Sequence, residues 1–203
     1  MFLQNFFKAL VAVDPISLIP ILTVITQGLN TKKIIRLAVF VFFITSTILT
    51  FFSLYGNFFL NFMGISISSF QIVGGLFLLF ISFEMVFEKR VKRKKLLADE
   101  LIDDQDVNNL AVFPISIPLI AGPSAITLSV LISKEIDYSV INFYTQISPL
   151  ILTLFLTSLI IIFSNFFMKC FNKTVMNVLQ KVFGLILGAL AVEYLITGFV
   201  ELL

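Results

Sequence analysis

The sequence predicts an all-α polytopic membrane protein of six transmembrane helices, on three observations. The chain is 59% hydrophobic and only 13% charged over 203 residues, whereas soluble domains run at roughly 45–50% apolar and about 25% charged. Charge is absent from three long stretches: between Arg36 and Glu84, from Val107 to Ser133, and from Tyr138 to Met168. A span needs roughly 20 apolar residues, so the first stretch holds two. Finally, two apolar segments are broken by proline in corresponding places. They read ALVAVDPISLIPIL from Ala9 to Leu22 and AVFPISIPLIAGPSAITL from Ala111 to Leu128. The expected spans are 4–27, 35–57, 67–87, 110–132, 144–167 and 182–202 in one membrane domain. Repeat one covers about 1–88, a cytoplasmic linker about 89–109 and repeat two about 110–203.

Span one carries the first break. Lipid cannot hydrogen-bond an orphaned backbone group, so broken backbone survives only where protein or a water-filled cavity satisfies it. Pro15 and Pro20 free the carbonyls of Val11 and Ile16, because proline lacks an N–H and clashes with the carbonyl four residues back. Asp14 sits beside Pro15 near mid-depth. An intramembrane carboxylate costs about 2.5–3.5 kcal/mol on insertion scales and normally faces a cavity or a partner. It is expected either to bind an ion or solute and carry a proton, or to cap the half-helix that starts at Pro15. The opening MFLQNFFKALVAVDP has no basic n-region and no small-residue cleavage site, so it is expected to be part of span one.

Spans two and three share the longest charge-free stretch. Gly56-Asn57 and Gly64-Ile65-Ser66 are expected to mark the turn between them. The hydroxyls of Thr45, Ser46, Thr47, Thr50 and Ser53 spread around span two and are assigned to helix packing. In span three, Gly74 and Gly75 allow close helix approach, as Gly184 and Gly188 do in span six. Glu84 is followed one turn later by Glu88 and Lys89, and is expected to snorkel at the cytoplasmic interface. The linker KRVKRKKLLADELIDDQD follows. Its basic part lies at the membrane, where each cation near anionic lipid is worth about 1 kcal/mol, and topology anchoring is its expected role. Its acidic part, Asp99 to Asp106, is expected to fold back on it. Nucleic-acid binding is not expected, for the basic run is tethered to the bilayer and lacks interleaved aromatics.

Span four carries the second break, where Pro118 and Pro123 free the carbonyls of Pro114 and Leu119. Ser116, Ser124 and Thr127 flank it, as Ser17 flanks the first. Their hydroxyls can contact a solute or replace lost backbone hydrogen bonds. Gly122 suits a special backbone geometry beside Pro123. Glu193, in span six, lies twelve residues beyond Lys181, or about 18 Å along a helix, near the midplane. It is expected to face the breaks.

The basic residues sort by side. Those after spans one, three and five make up 12 of the 14 Lys and Arg, leaving only Lys8 and Lys134 on the other face. The rich face is cytoplasmic by the positive-inside rule, so both termini lie outside. Laying Asp14-Pro15 on Gly122-Pro123 gives an offset of 108, and laying Gly75 and Glu84 on Gly184 and Glu193 gives 109. Two near-equal offsets indicate a duplication. With three spans in each half, the repeats are expected to be inverted about a two-fold axis in the membrane plane.

DPISLIP in span one, PISIPLIAGPSAI in span four and IVGGLFLLFISFEMVF in span three resemble the MarC family of multipass membrane proteins across essentially the whole chain. That family is distantly related in fold to small exporters of the lysine-exporter type, and the resemblance therefore implies transport. Its members usually show Gly where this chain has Ser17 and Ser124, and often Asp at Glu84 and Gln at Glu193, so this chain's pocket is expected to differ in size and charge.

The expected function is secondary transport, or export, of a small polar solute across the cell membrane, in the bacterial inner membrane. The rival class is a non-transporting membrane protein with an assembly or lipid-interaction role. Solute or ion binding is expected at Asp14, Pro15, Ser17, Gly122, Pro123, Ser124 and Glu193, and more weakly at Glu84 and Thr127. No metal or other cofactor is expected, since the chain has no His and one Cys. An enzyme is not expected either, for no nucleophile–base or paired-aspartate motif is present. The lipid bilayer and a small-molecule solute are the expected partners.

Overall fold

The computed structural model describes residues 1–99, 107–135, 140–170 and 172–203, and these are helical with no strand. Span one is α1 (Phe2–Val13), one 3-10 turn (Ile16–Leu18) and α2 (Ile19–Thr26). Asp14 ends α1 in the left-handed region, at φ 54° and ψ 63°, with its amide still bonded to the Leu10 carbonyl at 3.0 Å. Asp is one of the few L-residues that visit this region. Pro15 then bars the α1 ladder from continuing.

α3 (Thr31–Phe62) and α4 (Ile67–Val86) form spans two and three. The expected turn at Gly56-Asn57 is overturned, because Gly56 lies inside α3. A side chain there would meet Ser133 Oγ at 3.0 Å and the Val130 backbone at 3.1 Å, so Gly56 serves helix contact. The turn falls at Gly64, where φ is +72°. Ser66 then caps α4 by accepting from the Ser69 amide at 3.1 Å. After α4 the chain reverses at Glu88, φ 59°, into α5 (Lys89–Asp99). The expected folding back of the acidic stretch falls mostly on residues 100–106, outside the described residues.

Span four begins with the short α6 (Val107–Leu110) and continues as an irregular segment, Ala111–Ile120. Phe113 and Ile117 are extended there, at ψ 125°. Each precedes a proline, which pushes its neighbour out of the helical region. α7 (Pro123–Glu135) then leaves at 71° to the preceding stretch. α8 (Val140–Ile162), the short α9 (Ser164–Cys170) and α10 (Lys173–Leu202) complete the chain. Among the described residues five helices are long and apolar enough to cross a membrane, or six if the bent pair counts as one span.

The main core joins α1, α2, α3, α7 and α8 through buried Ala12, Leu22, Leu37, Leu49, Leu128 and Leu150. Phe43, Phe58, Phe77, Phe80 and Leu185 point outward, as side chains facing acyl tails should. Lipid is as apolar as leucine, so helices associate by close packing and hydrogen bonds rather than by the hydrophobic effect. The α4–α10 pair, the most extensive contact in the molecule, does this with glycine. Gly75 lies against Ala191 and Leu195, and Gly184 against Ser82 and Val86. Ser82 Oγ donates to the Gly184 carbonyl at 2.7 Å.

Candidate functional site

The two breaks meet. Ser124, in the first turn of α7, donates its hydroxyl to the Ala12 carbonyl at 2.6 Å, tying the second break to the end of α1. Asp14 is fully buried beside this contact. Its Oδ2 accepts from Arg90 and its Oδ1 from no group, so neither oxygen caps the turn after Pro15 and the capping role fails. The left-handed backbone at Asp14 instead accompanies an ion pair: Arg90 Nε donates to Asp14 Oδ2 at 2.9 Å, and Lys94 Nζ stands 3.9 Å from the same oxygen. Asp14 Oδ1 is buried without a hydrogen-bond partner. Arg90 Nη2 reaches Ser124 Oγ at 3.4 Å, and Lys94 Nζ donates to Ser17 Oγ at 2.8 Å. Ser17 in turn donates to the Asp14 carbonyl at 3.0 Å. Each break therefore offers one serine and receives one cation.

Those cations come from α5. Arg90, Arg93 and Lys94 are spaced i, i+3, i+4 and share one helix face. Arg90 and Lys94 are each only 4% exposed. Topology anchoring is therefore an incomplete account of the basic run, since this face turns inward. The signal lies in the sequence: a buried carboxylate needs a partner, spans three to five offer no cation for it, and the helical spacing of the basic run marks a face. Arg93 Nη1 lies 3.0 Å from Glu84 Oε2, an ion pair without hydrogen-bond alignment. Glu84 is buried beneath α5, so the expected snorkelling is overturned as well. Burial pushes Lys94 down to about 7, helped by repulsion from Arg90 and opposed by Asp14.

A cavity of about 230 Å³ opens between α5 and the second break, lined by Arg90, Arg93, Lys94, Pro118–Ile120 and Gly122–Ser124. A second, of about 330 Å³, lies on the opposite face of α5 against Ile16, Ser17 and Pro20 of the first break, lined also by Glu88 of the turn and by Val91 and Lys92 of α5. Gly122 is required by contact, since a side chain there would meet the Pro118 carbonyl at 2.7 Å. Pro15 is buried at the first break, and Pro123 opens α7 at the second.

Two expected residues lie elsewhere. Glu193 is exposed on the outer side of α10 and does not face the breaks. The twelve-residue count gave its depth along the helix but not its face. Thr127 turns its methyl towards Gly74 of α4, a packing contact. Ser116 restores backbone bonding by donating to the Ala111 carbonyl at 2.6 Å.

The model of the MarC family integral membrane proteins matches residues 1–203. The chain belongs to the MarC family. A UPF0056 membrane protein of Buchnera aphidicola subsp. Acyrthosiphon pisum is 33% identical over 96% of this chain and 90% of its own. Another, YvbG of Bacillus subtilis, is 30% identical over 97% and 93%, and one from Methanocaldococcus jannaschii is 29% identical over 99% and 87%. No solved structure matches. This MarC family chain is thus an integral, multi-pass membrane protein. Ser17 and Ser124, where the resemblance implies glycine, are the two hydroxyls that hold the α5 cations.

Proposed function

We propose that this protein is a secondary transporter of a small polar solute, working by alternating access around the two breaks. The observation that carries the reading is the meeting of two separately broken spans at one buried charged centre. Matched breaks in the two halves of a membrane chain are the usual sequence mark of a transport site at a repeat interface. A fixed helix bundle has no need to keep a half-partnered carboxylate inside, because an unpaired buried acceptor costs about 1–3 kcal/mol, and more when charged. The cavities beside both breaks favour transport over an assembly or lipid-interaction role, for which dry packing would serve.

The proposal includes inverted repeats, both termini outside and the linker inside, in the bacterial inner membrane. The α4–α10 contacts support the inversion. Shifting Gly75–Ala191 and Gly75–Leu195 by the sequence offset of 109 turns them into Gly184–Ser82 and Gly184–Val86, two of the three contacts at Gly184, the third being Met85. Reciprocal pairing of this kind is what a two-fold axis between antiparallel helices produces.

The test is flux into proteoliposomes holding the purified protein, run against a panel of small polar metabolites. Asp14→Asn should abolish flux; because it strands Arg90 and lowers stability, flux is compared at equal amounts of folded protein in the membrane. Normal flux in a well-expressed Asp14→Asn variant would remove Asp14 from the mechanism, and no flux of any panel member would remove transport.

A further inference from the structure

The charges where α5 meets the two breaks do not cancel. Three cations of α5, Arg90, Arg93 and Lys94, face two carboxylates, Asp14 and Glu84, among the described residues. Asp14 is committed to Arg90 at 2.9 Å and stands 3.9 Å from Lys94, whose hydrogen bond goes to the neutral Ser17. An uncompensated cation out of water is costly and calls for an anion or for neutralisation. The surplus faces the 230 Å³ cavity that all three cations line.

The opposite wall of that cavity adds partial positive charge. α7 starts at Pro123 and runs to Glu135. Its first-turn amides, those of Ser124 and Ala125, have no intrahelical acceptor, and the helix dipole points its positive end the same way. Pro118 to Pro123 shape the floor, and Gly122 keeps the backbone close because no side chain would clear the Pro118 carbonyl. At about 230 Å³, the space falls below the roughly 300–1,000 Å³ of pockets for drug-sized ligands. A small solute or a single headgroup fits it.

We propose that this cavity binds one small oxyanion, a carboxylate or a phosphate group, held by Arg90, Arg93 and Lys94 against the N-terminus of α7. As a statement about the transported solute it rests on the transport reading above; as a statement about binding it does not. Guanidinium forks match carboxylate and phosphate geometry with paired hydrogen bonds. The anion's position beside Asp14 also gives it influence over the contact that ties the breaks together. An oxyanion competes with Asp14 for Arg90, and binding loosens the clasp that α5 makes with the first break.

Full-length protein in phosphatidylcholine nanodiscs is titrated with sodium phosphate or succinate at constant ionic strength, with succinamide as the neutral control. Thermal unfolding is followed by circular dichroism. The expected result is a saturable rise in Tm with at least one oxyanion and none with succinamide. Arg93 is 40% exposed, so Arg93→Gln should fold, and its apparent affinity should fall tenfold or more, while Arg93→Lys retains most of it. Ser124→Ala gives a second, milder loss. A rise that appears only when phosphatidylglycerol replaces phosphatidylcholine upholds the site and assigns its oxyanion to lipid. No rise with phosphate or succinate in either lipid overturns the proposal. If such a protein still carries a neutral solute in the flux assay, the oxyanion site alone has failed. If oxyanions bind and no panel member moves, transport alone has failed.

Discussion

At the residue scale, Asp14 and Arg90 form one unit. Breaking a buried ion pair by removing one partner costs about 3–5 kcal/mol, since the other charge is stranded, while replacing both can be nearly neutral. Arg90→Met should therefore destabilise the protein strongly, and Asp14→Asn/Arg90→Met should recover most of the loss. Unfolding in mild detergent measures this, and additive losses would show that the pair is not coupled. Lys94 makes a separate prediction. Its folded value of about 7 lies below its ordinary 10.5, so unfolding takes up a proton. Its opposition to folding is complete below about pH 7 and fades as pH rises towards 10.5. Stability should climb through that window in the native chain and climb less in Lys94→Met. Asp14 of the first break faces Lys94, as do Arg90 and Arg93 on its own helix, and all three stay in place in the comparison.

At the scale of elements, helical breaks and glycine contacts are legible in the sequence, because proline and glycine act through local backbone chemistry. Ser17 and Ser124 could be placed at the breaks for the same reason. The face of Glu193 is not legible in the sequence, because residue spacing measures depth, whereas the face of a 30-residue helix depends on what it packs against. Gly56 reads as a turn in the sequence because glycine serves turns and tight helix contacts alike, and only Val130 and Ser133 across the interface decide between them. The α5 face was readable in principle, yet a run of cations at a membrane edge also suits lipid. Gly184 offers a direct test of the α4–α10 contact. A leucine there meets Met85, Val86 and the Ser82 carbonyl, and such overpacking costs about 1–3 kcal/mol. Gly184→Leu should lower Tm, and Gly28→Leu is no control for it, since Gly28 has a positive φ of 86°. Leu185→Ala, exposed on the same helix, should change little.

At the scale of the molecule, the proposed topology can be checked without a substitution. Cys170 is the single cysteine of the chain and is exposed, between spans five and six beside Lys169 and Lys173. It should resist an impermeant maleimide in intact cells and react once the membrane is permeabilised. Ready labelling from outside would invert the topology. Lys94→Cys would be a poor probe, because that position is buried against the first break.

A duplicated chain has two of everything except its seam. In the inverted arrangement proposed above, swapping the roles of the halves exchanges the inward-open and outward-open shapes, and by symmetry alone they would be equally populated. α5 belongs to the seam and has no counterpart. Its clasp on Asp14 and the two serines forms on one side only, so the two shapes cannot be equal in energy. Each 1.4 kcal/mol of difference tilts their ratio about tenfold. On the proposed transport cycle the linker is the ratchet: it would set which door stands shut at rest, and what must be supplied to open it.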